Sequence, residues 1–358
     1  MEQHIRVLHL LKSSTFSGAE NVVCQIIRVF NDDPSLEFAY CSPNGDISIE
    51  LNKRGIKYIP LPSLTPRAVR RCIKSYKPDI VHAHDITASI LASVATVGLK
   101  VKLISHVHVN NNNMARVNFK TVSYLLSCIR YNHIFFVAQS CYDCFAFRKQ
   151  INRKSSVLTN IMDKNEIIRR ANEADNKNVY DLVYVGRLTY QKNPEKLIRV
   201  ISLIIKEIPT IRIGIVGQGD LLEITQRSAN EKGLMDNVSF LGFISNPLGI
   251  LSQAKLLLMT SRFEGLPMTV LESLALGIPI VSTPVDGLLD VVESGVNGFL
   301  VEDDLELANH AVALLKDDKK QKEMSNNAEE SFDRISNVSH YKSELFKEYN
   351  TLLFKGKR

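Results

Sequence analysis

Short apolar runs alternate with amphipathic segments along nearly the whole chain, and this alternation restricts the fold more than any other feature. In the first half, the runs predicted to be strands are Ile5–Leu11, Glu37–Cys41, Ile56–Leu61, Asp79–His84, Lys102–His106, Ile134–Ala138 and Ser156–Thr159. Segments with helical spacing lie between them, such as Ala19–Phe30 and Thr87–Val97. Strands that alternate with helices need crossover connections, which predict a parallel sheet with helices on both faces.

The alternation stops once and then begins again. The stretch Asn160–Val179 is polar and lacks strand character, which is typical of a connection between domains. The strands predicted beyond it are Leu182–Val185, Ile211–Val216, Val238–Leu241, Leu256–Thr260, Ile278–Ser282 and Gly298–Val301. A terminal helix is predicted from about His340 to Phe354.

The sequence therefore predicts an α/β protein with two tandem, doubly wound, Rossmann-like domains. Its 358 residues are enough for two domains of ordinary size. We place an N-terminal domain at 1–163, a linker at 164–180, a second domain at 181–336 and a C-terminal helix at 337–358. Ligands bind beyond the carboxyl ends of strands in such sheets, so two sheets that face each other are expected to form a central cleft.

Charge is distributed unevenly between the two halves. The net charge is +6, but residues 1–150 carry 18 Lys and Arg against 10 Asp and Glu. Basic residues cluster from Lys53 to Lys77 with no acidic residue among them. A predicted helix at Met114–Tyr131 mixes apolar and basic side chains, which leaves open an ordinary half-buried helix or one on a membrane surface. We expect the basic half to meet an anionic partner, and a membrane surface is favoured over nucleic acid because no nucleic-acid-binding module is recognisable.

Two features of the sequence bear on localisation. No apolar run reaches the roughly 18 residues of a membrane span. The first residues, MEQHIRVLHLLKSS, lack the layout of a signal peptide. The sequence therefore predicts a cytoplasmic protein that associates peripherally with the cytoplasmic face of the membrane.

Two glutamates stand out in the stretch SRFEGLPMTVLESLALGIPIVSTPV, which follows a predicted strand. Glu264 lies in the loop at the strand's carboxyl end, and Glu272 lies in the helix that opens at Pro267. Carboxylates accept hydrogen bonds from the paired hydroxyls of a sugar or a ribose. The amides of Leu266, Met268 and Thr269 would form a helix N-terminus, which attracts phosphate.

The sequence from Phe263 to Val301 resembles the E-x7-E region of retaining glycosyltransferases with the GT-B fold, in glycosyltransferase family 4. The resemblance covers nearly the whole chain. It implies that Glu264 contacts the donor sugar and that Glu272 holds the ribose of the nucleotide. It also implies that the donor is contacted by the residues between them, which are Gly265, Leu266, Pro267, Met268 and Thr269.

Further motifs fit the same family. VGRLTYQKN places Arg187 and Lys192 after a strand, where two cations suit a diphosphate, and the family uses such a pair to clamp it. VGQGDL lacks the third glycine of a dinucleotide motif and resembles instead the family's Gly-x-Gly turn, which implies that Gly217 and Gly219 pass close to the nucleotide. FLGFIS resembles the loop that frames the base and so points to Phe243.

In the N-terminal half, SSTFSGAE follows the first strand and places Ser17 and Gly18 where the family usually has two glycines. Four histidines lie at two strand ends: His82, His84, His106 and His108. By position, His108 resembles the family histidine beside the donor sugar, with His106 the alternative. We expect no metal and no cofactor, since the fold class uses none and no Asp-x-Asp motif of metal-dependent glycosyltransferases is present.

The resemblance thus implies a metal-independent, retaining hexosyltransferase that uses a nucleotide-sugar donor. We expect this donor to be UDP-linked. Its acceptor would be a glycan or a lipid-linked molecule in surface polysaccharide or glycolipid synthesis. The predicted catalytic residues are His108, Glu264, Arg187 and Lys192. Two alternatives stay open at this stage: a nucleotide-sugar epimerase of similar architecture, and an inactive GT-B subunit that binds a partner.

Overall fold

The structure is a computed structural model that describes residues 4–16, 18–108, 114–174 and 178–354. The chain divides into two compact units. The first contains residues 1–161 and 337–358, and the second contains residues 162–336. Ser17, which the sequence analysis proposed as a donor-binding residue, lies outside the described residues.

The first unit is built on a seven-stranded parallel sheet in the order β3-β2-β1-β4-β5-β6-β7. Its strands are β1 (Ile5–Leu10), β2 (Leu36–Pro43), β3 (Tyr58–Leu61), β4 (Ile80–His84), β5 (Lys102–Val107), β6 (His133–Phe136) and β7 (Ser155–Val157). The central strands β1, β4 and β5 are almost entirely buried. A parallel sheet covered on both faces buries its strands in this way, and here each of the three strands also carries at least one buried histidine.

Helices connect these strands. They are α1 (Gly18–Val29), α2 (Ile47–Lys53), α3 (Pro66–Tyr76), α4 (Asp85–Ala95), α5 (Phe119–Cys128), α6 (Gln139–Asp143) and α7 (Arg148–Ile151). A 3₁₀ turn at Asn152–Lys154 follows α7. Helix α3 packs on α4, and α4 packs on α5, so these three helices form one layer. Helix α5 is shorter than the predicted Met114–Tyr131, because Asn118 caps it with hydrogen bonds to the amides of Lys120 and Thr121.

The second unit has a six-stranded parallel sheet in the order β10-β9-β8-β11-β12-β13. Its strands are β8 (Leu182–Val185), β9 (Ile213–Val216), β10 (Val238–Gly242), β11 (Leu256–Met259), β12 (Ile280–Ser282) and β13 (Gly298–Leu300). Its helices are α8 (Lys164–Asn172), α9 (Pro194–Glu207), α10 (Leu222–Glu231), α11 (Leu248–Leu251), α12 (Met268–Ala275), α13 (Asp286–Leu289), α14 (Asp304–Lys316) and α15 (Asp318–Ile335). A 3₁₀ turn at Tyr190–Lys192 precedes α9.

The last helix, α16 (Val338–Phe354), belongs to the first unit. Its Tyr349 is fully buried, and its ring contacts those of Phe30 and Phe38. The hydroxyl of Tyr349 also lies 2.9 Å from Nδ1 of His82. The predicted C-terminal segment is therefore part of the core of a unit from which it is distant in sequence.

The fold class is confirmed, since both units are doubly wound α/β structures with parallel sheets. Each predicted strand overlaps an observed one. The structure differs at the predicted linker, where residues 164–172 form helix α8 within the second unit. Ile167 and Ala171 of this helix are buried, and the Arg170 carbonyl accepts a hydrogen bond from Asn246 at 2.7 Å. No helix within the described ranges has the length and apolarity needed to cross a membrane.

Candidate active site

The second sheet has its topological switch point between β8 and β11. The two strands are neighbours, but the chain leaves β8 towards β9 on one side and reaches β11 on the other side later. Connections therefore diverge at the carboxyl ends of β8 and β11, where open α/β sheets bind ligands. The loops that follow these two strands carry Arg187, Lys192 and Glu264.

The carboxylate of Glu264 is buried at this switch point, with 4% of the residue exposed. Lys192 Nζ lies 2.5 Å from its Oε1, and Ser261 Oγ donates a hydrogen bond to the same oxygen at 2.6 Å. Gln191 Nε2 donates to Oε2 at 3.2 Å. Charge-assisted hydrogen bonds of this kind are stronger than neutral ones and restrict orientation. The carboxylate is therefore held in one position by its own unit.

Arg187 has a different environment, since its side chain is exposed. Within the part of the chain that the structure describes, no carboxylate forms an ion pair with it. The Tyr184 hydroxyl donates to the Arg187 carbonyl at 3.0 Å, which fixes the backbone of the loop. Burial raises the pKa of Tyr184 and the Glu264 charge raises it further, so the phenol keeps its proton and its role as donor. Arg187 is thus a positioned cation whose charge is available to a ligand.

The sequence analysis assigned Lys192 to a diphosphate and Glu264 to a sugar, without connecting the two residues. The structure joins them in an ion pair in which both side chains are largely buried. Removal of either partner would leave an uncompensated charge in a poorly solvated place, which is costly. Lys192 and Glu264 therefore act as one polar unit.

Helix α12 begins at Met268 rather than at the predicted Pro267, because Pro267 is its N-cap, with φ −65° and ψ 132°. Gly265, Leu266 and Met268 are buried, and Thr269 is half-buried. The first amides of a helix have no acceptor within it, so the start of α12 offers donors. Glu272 lies on the second turn with 7% of its surface exposed. Contact of these residues with a donor stays a prediction.

The two glycines of VGQGDL are explained by packing within the protein. Gly217 has φ +140°, and a Cβ placed on it would lie 1.9 Å from the Gly186 carbonyl oxygen. A Cβ on Gly219 would lie 2.2 Å from the Leu188 oxygen, and Leu188 N donates to Gln218 O at 3.0 Å. The loops after β8 and β9 thus pack backbone against backbone, which excludes larger side chains. Their approach to a nucleotide stays a prediction.

Sequence reasoning missed residues that support Glu264. Gly287, at the start of α13, packs so closely that a Cβ on it would lie 1.6 Å from the Gly265 oxygen. Thr283 Oγ1 donates to the Ser261 carbonyl at 2.7 Å. Both follow β12, the strand next to β11 in the sheet. The glycine in PVDGLLD was the only signal for this support, and its meaning depends on a loop more than twenty residues earlier.

Phe243 and Gly18, which were also predicted to bind the donor, have more open surroundings. Phe243 follows β10 with 58% of its surface exposed, directly after Gly242 with φ +67°. Gly18 begins α1, and a Cβ on it would meet no atom within 4 Å. Their roles in donor binding stay predictions.

The first unit carries a second cluster of polar side chains, at the carboxyl edge of its sheet. His82 and His84 belong to β4, His106 to β5, and His108 follows β5. His9 of β1 joins them, and sequence reasoning missed it. The parallel register pairs His9 with His82 and His84 with His106. Since residues two apart in a strand point to the same face, all these rings lie on one face of the sheet.

The rings stack and form a chain of hydrogen bonds. His9 Nδ1 lies 2.9 Å from His84 Nε2, and His84 Nδ1 lies 2.8 Å from His108 Nε2. Burial lowers the pKa of each of these histidines, and for His9 the fall is to about 3, with His108 contributing. At neutral pH the rings are therefore neutral, and each has one donor and one acceptor nitrogen. The His108 amide also donates to Asp85 Oδ1 at 3.2 Å.

Comparison with known proteins assigns this chain and its fold to a family. The family model described as "Glycosyltransferase Family 4" matches residues 16–166, and the model "Glycosyl transferases group 1" matches residues 163–331. Crystallised Anabaena Alr3699/HepE, in complex with UDP and glucose, superposes with a TM-score of 0.84 at 19% identity, covering 98% of this chain and 100% of that one. The fold is therefore that of the GT-B glycosyltransferases. The chain belongs to their family 4 type and is a glycosyltransferase.

Three curated relatives illustrate the family. An alpha-1,4-N-acetyl-D-galactosaminyltransferase of Campylobacter jejuni, whose name specifies an undecaprenol-diphosphate-linked glycan, is 27% identical over 78% of this chain and 77% of its own length. The capsular polysaccharide biosynthesis glycosyltransferase CapH of Staphylococcus aureus is 25% identical over 75% of this chain and 78% of its own. A poly(glycerol-phosphate) alpha-glucosyltransferase of Bacillus subtilis is 29% identical over 47% of this chain, and the match spans only 25% of that relative.

Proposed function

We propose that the protein is a retaining glycosyltransferase that moves a hexose from a UDP-linked donor to a glycan or lipid-linked acceptor in polysaccharide or glycoconjugate synthesis. The observation that carries this proposal is the buried Glu264 carboxylate, held by Lys192 and Ser261 at the switch point of the second sheet. The structural relative with UDP and glucose supports the donor. The relatives with capsular and undecaprenol-linked products support the acceptor class.

Transfer breaks the bond between the anomeric carbon and a diphosphate oxygen and forms a bond from that carbon to an acceptor oxygen. Charge grows on the departing diphosphate, and preorganised cations stabilise such charge more than they stabilise the ground state. Arg187, which has no acidic partner among the described residues, and Lys192 supply that positive charge. In the proposed mechanism the acceptor hydroxyl attacks from the face that the diphosphate leaves, so the configuration at the anomeric carbon would be retained. The proton of that hydroxyl passes to the departing diphosphate.

Glu264 and Glu272 divide the recognition of the donor. Glu264 is fixed by its three side-chain donors and presents its remaining acceptor capacity to hydroxyls of the sugar. Glu272, buried in the second turn of α12, binds the ribose. The amides at the start of α12 meet the diphosphate. His108 stays the candidate from the first unit for contact with the sugar.

We also propose that no Mg²⁺ is needed at the diphosphate. Arg187 and Lys192, on the loop after β8, would supply the charge neutralisation that a divalent ion supplies in other glycosyltransferases. Initial rates should be unchanged when Mg²⁺ and Ca²⁺ are removed by dialysis, and adding either metal back should not raise them. A strict requirement for added Mg²⁺ would contradict this part of the proposal.

The function is tested with a panel of nucleotide sugars, measured by thermal stabilisation of the protein and by release of the nucleoside diphosphate. We expect UDP and one UDP-hexose to raise the melting temperature, while ADP and GDP raise it less. Product sugar should appear only on an acceptor. Interconversion of the donor sugar without any acceptor would favour an epimerase, and no stabilisation by any nucleotide would favour an inactive subunit.

We further propose that the first unit docks on an anionic lipid surface through the layer formed by α3, α4 and α5. Helix α5 exposes Phe119 and Leu126 by 90% and 61%, and its C-cap residue Ile129 is 77% exposed. The basic residues exposed in the same layer are Arg67, Arg71, Lys74 and Lys77 near α3 and Arg116, Lys120 and Arg130 near α5. Apolar side chains beside basic ones are typical of peripheral membrane binding, at about 1 kcal/mol per basic residue near the surface.

Sedimentation with phosphatidylcholine vesicles, with and without phosphatidylglycerol, tests this surface. Wild-type protein should sediment with the anionic vesicles and dissociate in high salt. The Leu126→Ser variant should bind more weakly, whereas Leu305→Ser, which changes an exposed leucine of the second unit, should bind like wild type. Equal binding to neutral and anionic vesicles would contradict the proposal.

A further inference from the structure

Two cysteine thiols of the first unit lie against each other between the sheet and helix α3. Cys41 Sγ, in β2, lies 3.5 Å from Cys72 Sγ, in the middle of α3. The two residues are 31 positions apart in the chain, so the fold and not the local sequence brings them together. Both are free thiols, and at this distance one S–H donates a weak hydrogen bond to the other sulfur.

The elements that carry the two sulfurs are held in place. Cys41 is fully buried in a strand with a neighbour on each side, where it is in register with Leu10 of β1 and Ile59 of β3. Cys72 lies on the buried face of α3, and the side chain of Thr65 caps the start of this helix. The two thiols are therefore neighbours throughout the folded state, not only when a flexible segment brings them together.

Cys72 can also be reached from outside the protein. It lines an open groove of about 470 Å³ between β3 and α3, and 8% of the residue is exposed. Arg6, Arg71 and Ser75 line the same groove and give it polar walls. Cys41 is 0% exposed. A small polar oxidant that enters the groove therefore meets the sulfur of Cys72 first.

The contact between the sulfurs makes the two thiols unequal. The hydrogen bond from Cys41 lowers the pKa of Cys72, against the opposing effect of burial, because it stabilises the Cys72 thiolate. The same bond raises the pKa of Cys41, and burial raises it further. The thiolate is the reactive form of cysteine. Cys72 is thus the thiol that reacts, and Cys41 is the thiol that keeps its proton.

We propose that Cys72 and Cys41 form a modification site that reacts with hydroperoxides and closes to an intramolecular disulfide. The Cys72 sulfur attacks one oxygen of hydrogen peroxide and breaks the O–O bond, which gives a sulfenic acid and hydroxide. The hydroxide takes up the proton that Cys72 released and becomes water. The Cys41 sulfur then attacks the sulfenic sulfur, and the sulfenic oxygen leaves as a second water with the proton of Cys41. The two thiols lose two electrons in total, and the peroxide gains them.

Closure of the disulfide requires only a small movement. The sulfurs must approach by about 1.5 Å to reach the S–S bond length of about 2.05 Å. The bond would tie α3 to β2 and close a loop that contains β3. This modification site does not depend on the function proposed for the second unit.

The test uses the full-length protein, reduced, freed of reductant and treated with hydrogen peroxide. Peptide mapping by mass spectrometry without reduction should show the peptides with Cys41 and Cys72 joined, and two of the six thiols should be lost. Dithiothreitol should restore both thiols, because a disulfide is reversible and a sulfinic acid is not. The same treatment in urea should join several different pairs of cysteines, since unfolding removes the selection by position.

Dimedone, which labels sulfenic acids, tests the order of the two steps. Cys41→Ser should accumulate the label on Cys72, whereas Cys72→Ser should leave Cys41 unlabelled. Cys24→Ser is the matched control, because it removes another buried cysteine of the same unit, whose pKa burial raises to about 12. This variant should still form the disulfide.

The wild-type peptide map does not depend on any variant folding. A folded wild-type protein without a Cys41–Cys72 link after treatment with peroxide would overturn the proposal. Links that form only in urea would overturn it as well. Label on Cys41 in folded Cys72→Ser would overturn the assignment of Cys72 as the thiol that reacts first.

Discussion

The two carboxyl-edge sites are built on the same topology, but they satisfy their polar groups in opposite ways. At the edge of the second sheet, the Glu264 carboxylate is bound by side chains from its own loop and from the neighbouring one. At the edge of the first sheet, rings of five histidines are buried together, and several of their nitrogens have no partner among the described residues.

This difference separates a preorganised site from an incomplete one. A charge that is fixed before the ligand arrives needs no reorganisation during reaction, which is what stabilisation of a transition state requires. Neutral rings with unused nitrogens are instead stabilised when something binds. The second unit thus carries a carboxylate that is fixed before any ligand arrives, whereas the histidine cluster of the first unit keeps buried nitrogens without partners among the described residues.

The largest expected effect is a loss of stability of the first unit as the pH falls. The pKa of His9 is lowered from 6.5 to about 3 and that of His133 to about 4, with burial the main cause, and burial also lowers the pKa of His82, His84 and His106. As pH falls below about 6.5, the unfolded chain takes up these protons first. These groups therefore leave the free energy of unfolding unchanged above pH 6.5 and lower it below that pH. The loss is about 1.4 kcal/mol per pH unit for each histidine, for as long as that histidine stays neutral in the folded protein.

Hydrogen–deuterium exchange between pH 7 and pH 5, corrected for the intrinsic exchange rate, measures this effect in each unit separately. Peptides from β1, β4 and β5 should lose protection as the pH falls, while those from β8 and β11 should change little, because the second unit contains only His310 of the nine histidines. An equal loss of exchange protection in both units would show that the buried histidines of the first unit do not cause a difference in acid stability between the units.

The next largest effect is on catalysis. Glu264→Gln keeps the shape of the side chain and the acceptor for Lys192 but removes the charge. We expect kcat to fall by about 10²–10³-fold, as when a single electrostatic contact to a transition state is lost. Glu195→Gln, at an exposed carboxylate of the same unit, is the matched control and should retain full activity. A Glu264→Gln variant with near wild-type kcat would show that the fixed carboxylate does not serve the reaction.

A smaller effect is expected at the packing contact that holds the Glu264 loop in place. Gly287→Ala places a methyl group 1.6 Å from the Gly265 oxygen, so the loop that carries Glu264 must move. The free energy of unfolding should fall by about 2–3 kcal/mol. Gly18→Ala, where the methyl group meets no atom within 4 Å, should change it by less than about 0.5 kcal/mol. Comparable denaturant midpoints for the two variants would show that the contact is not restrictive.

The strands were predictable because buried parallel strands appear as short runs rich in apolar residues between helical segments, and all the predicted strands have observed counterparts. Helix α8 was not predictable, since KNEIIRRAN is mostly polar and buries only Ile167 and Ala171. Its place in the second unit depends on contacts with α11, which is remote in sequence.

The residues of the candidate active site were predictable from the sequence, but the contacts between their side chains were not. Glu264 and Lys192 each follow a strand, and the motifs identified both. Their ion pair joins residues 72 positions apart, so it required the order of β8 and β11 in the sheet. His9 was missed for the same reason, because only the pairing of β1 with β4 brings it beside His82 and His84.

The central claim is that Glu272 binds the nucleotide and Glu264 acts on the sugar, and calorimetry with UDP tests it most directly. Glu272→Ala should weaken UDP binding by about 1.5–3 kcal/mol, the cost of hydrogen bonds to a charged group. Glu264→Gln should leave the UDP affinity within a few-fold of wild type, because UDP lacks the sugar. An equal loss of UDP affinity in both variants would contradict the division of roles.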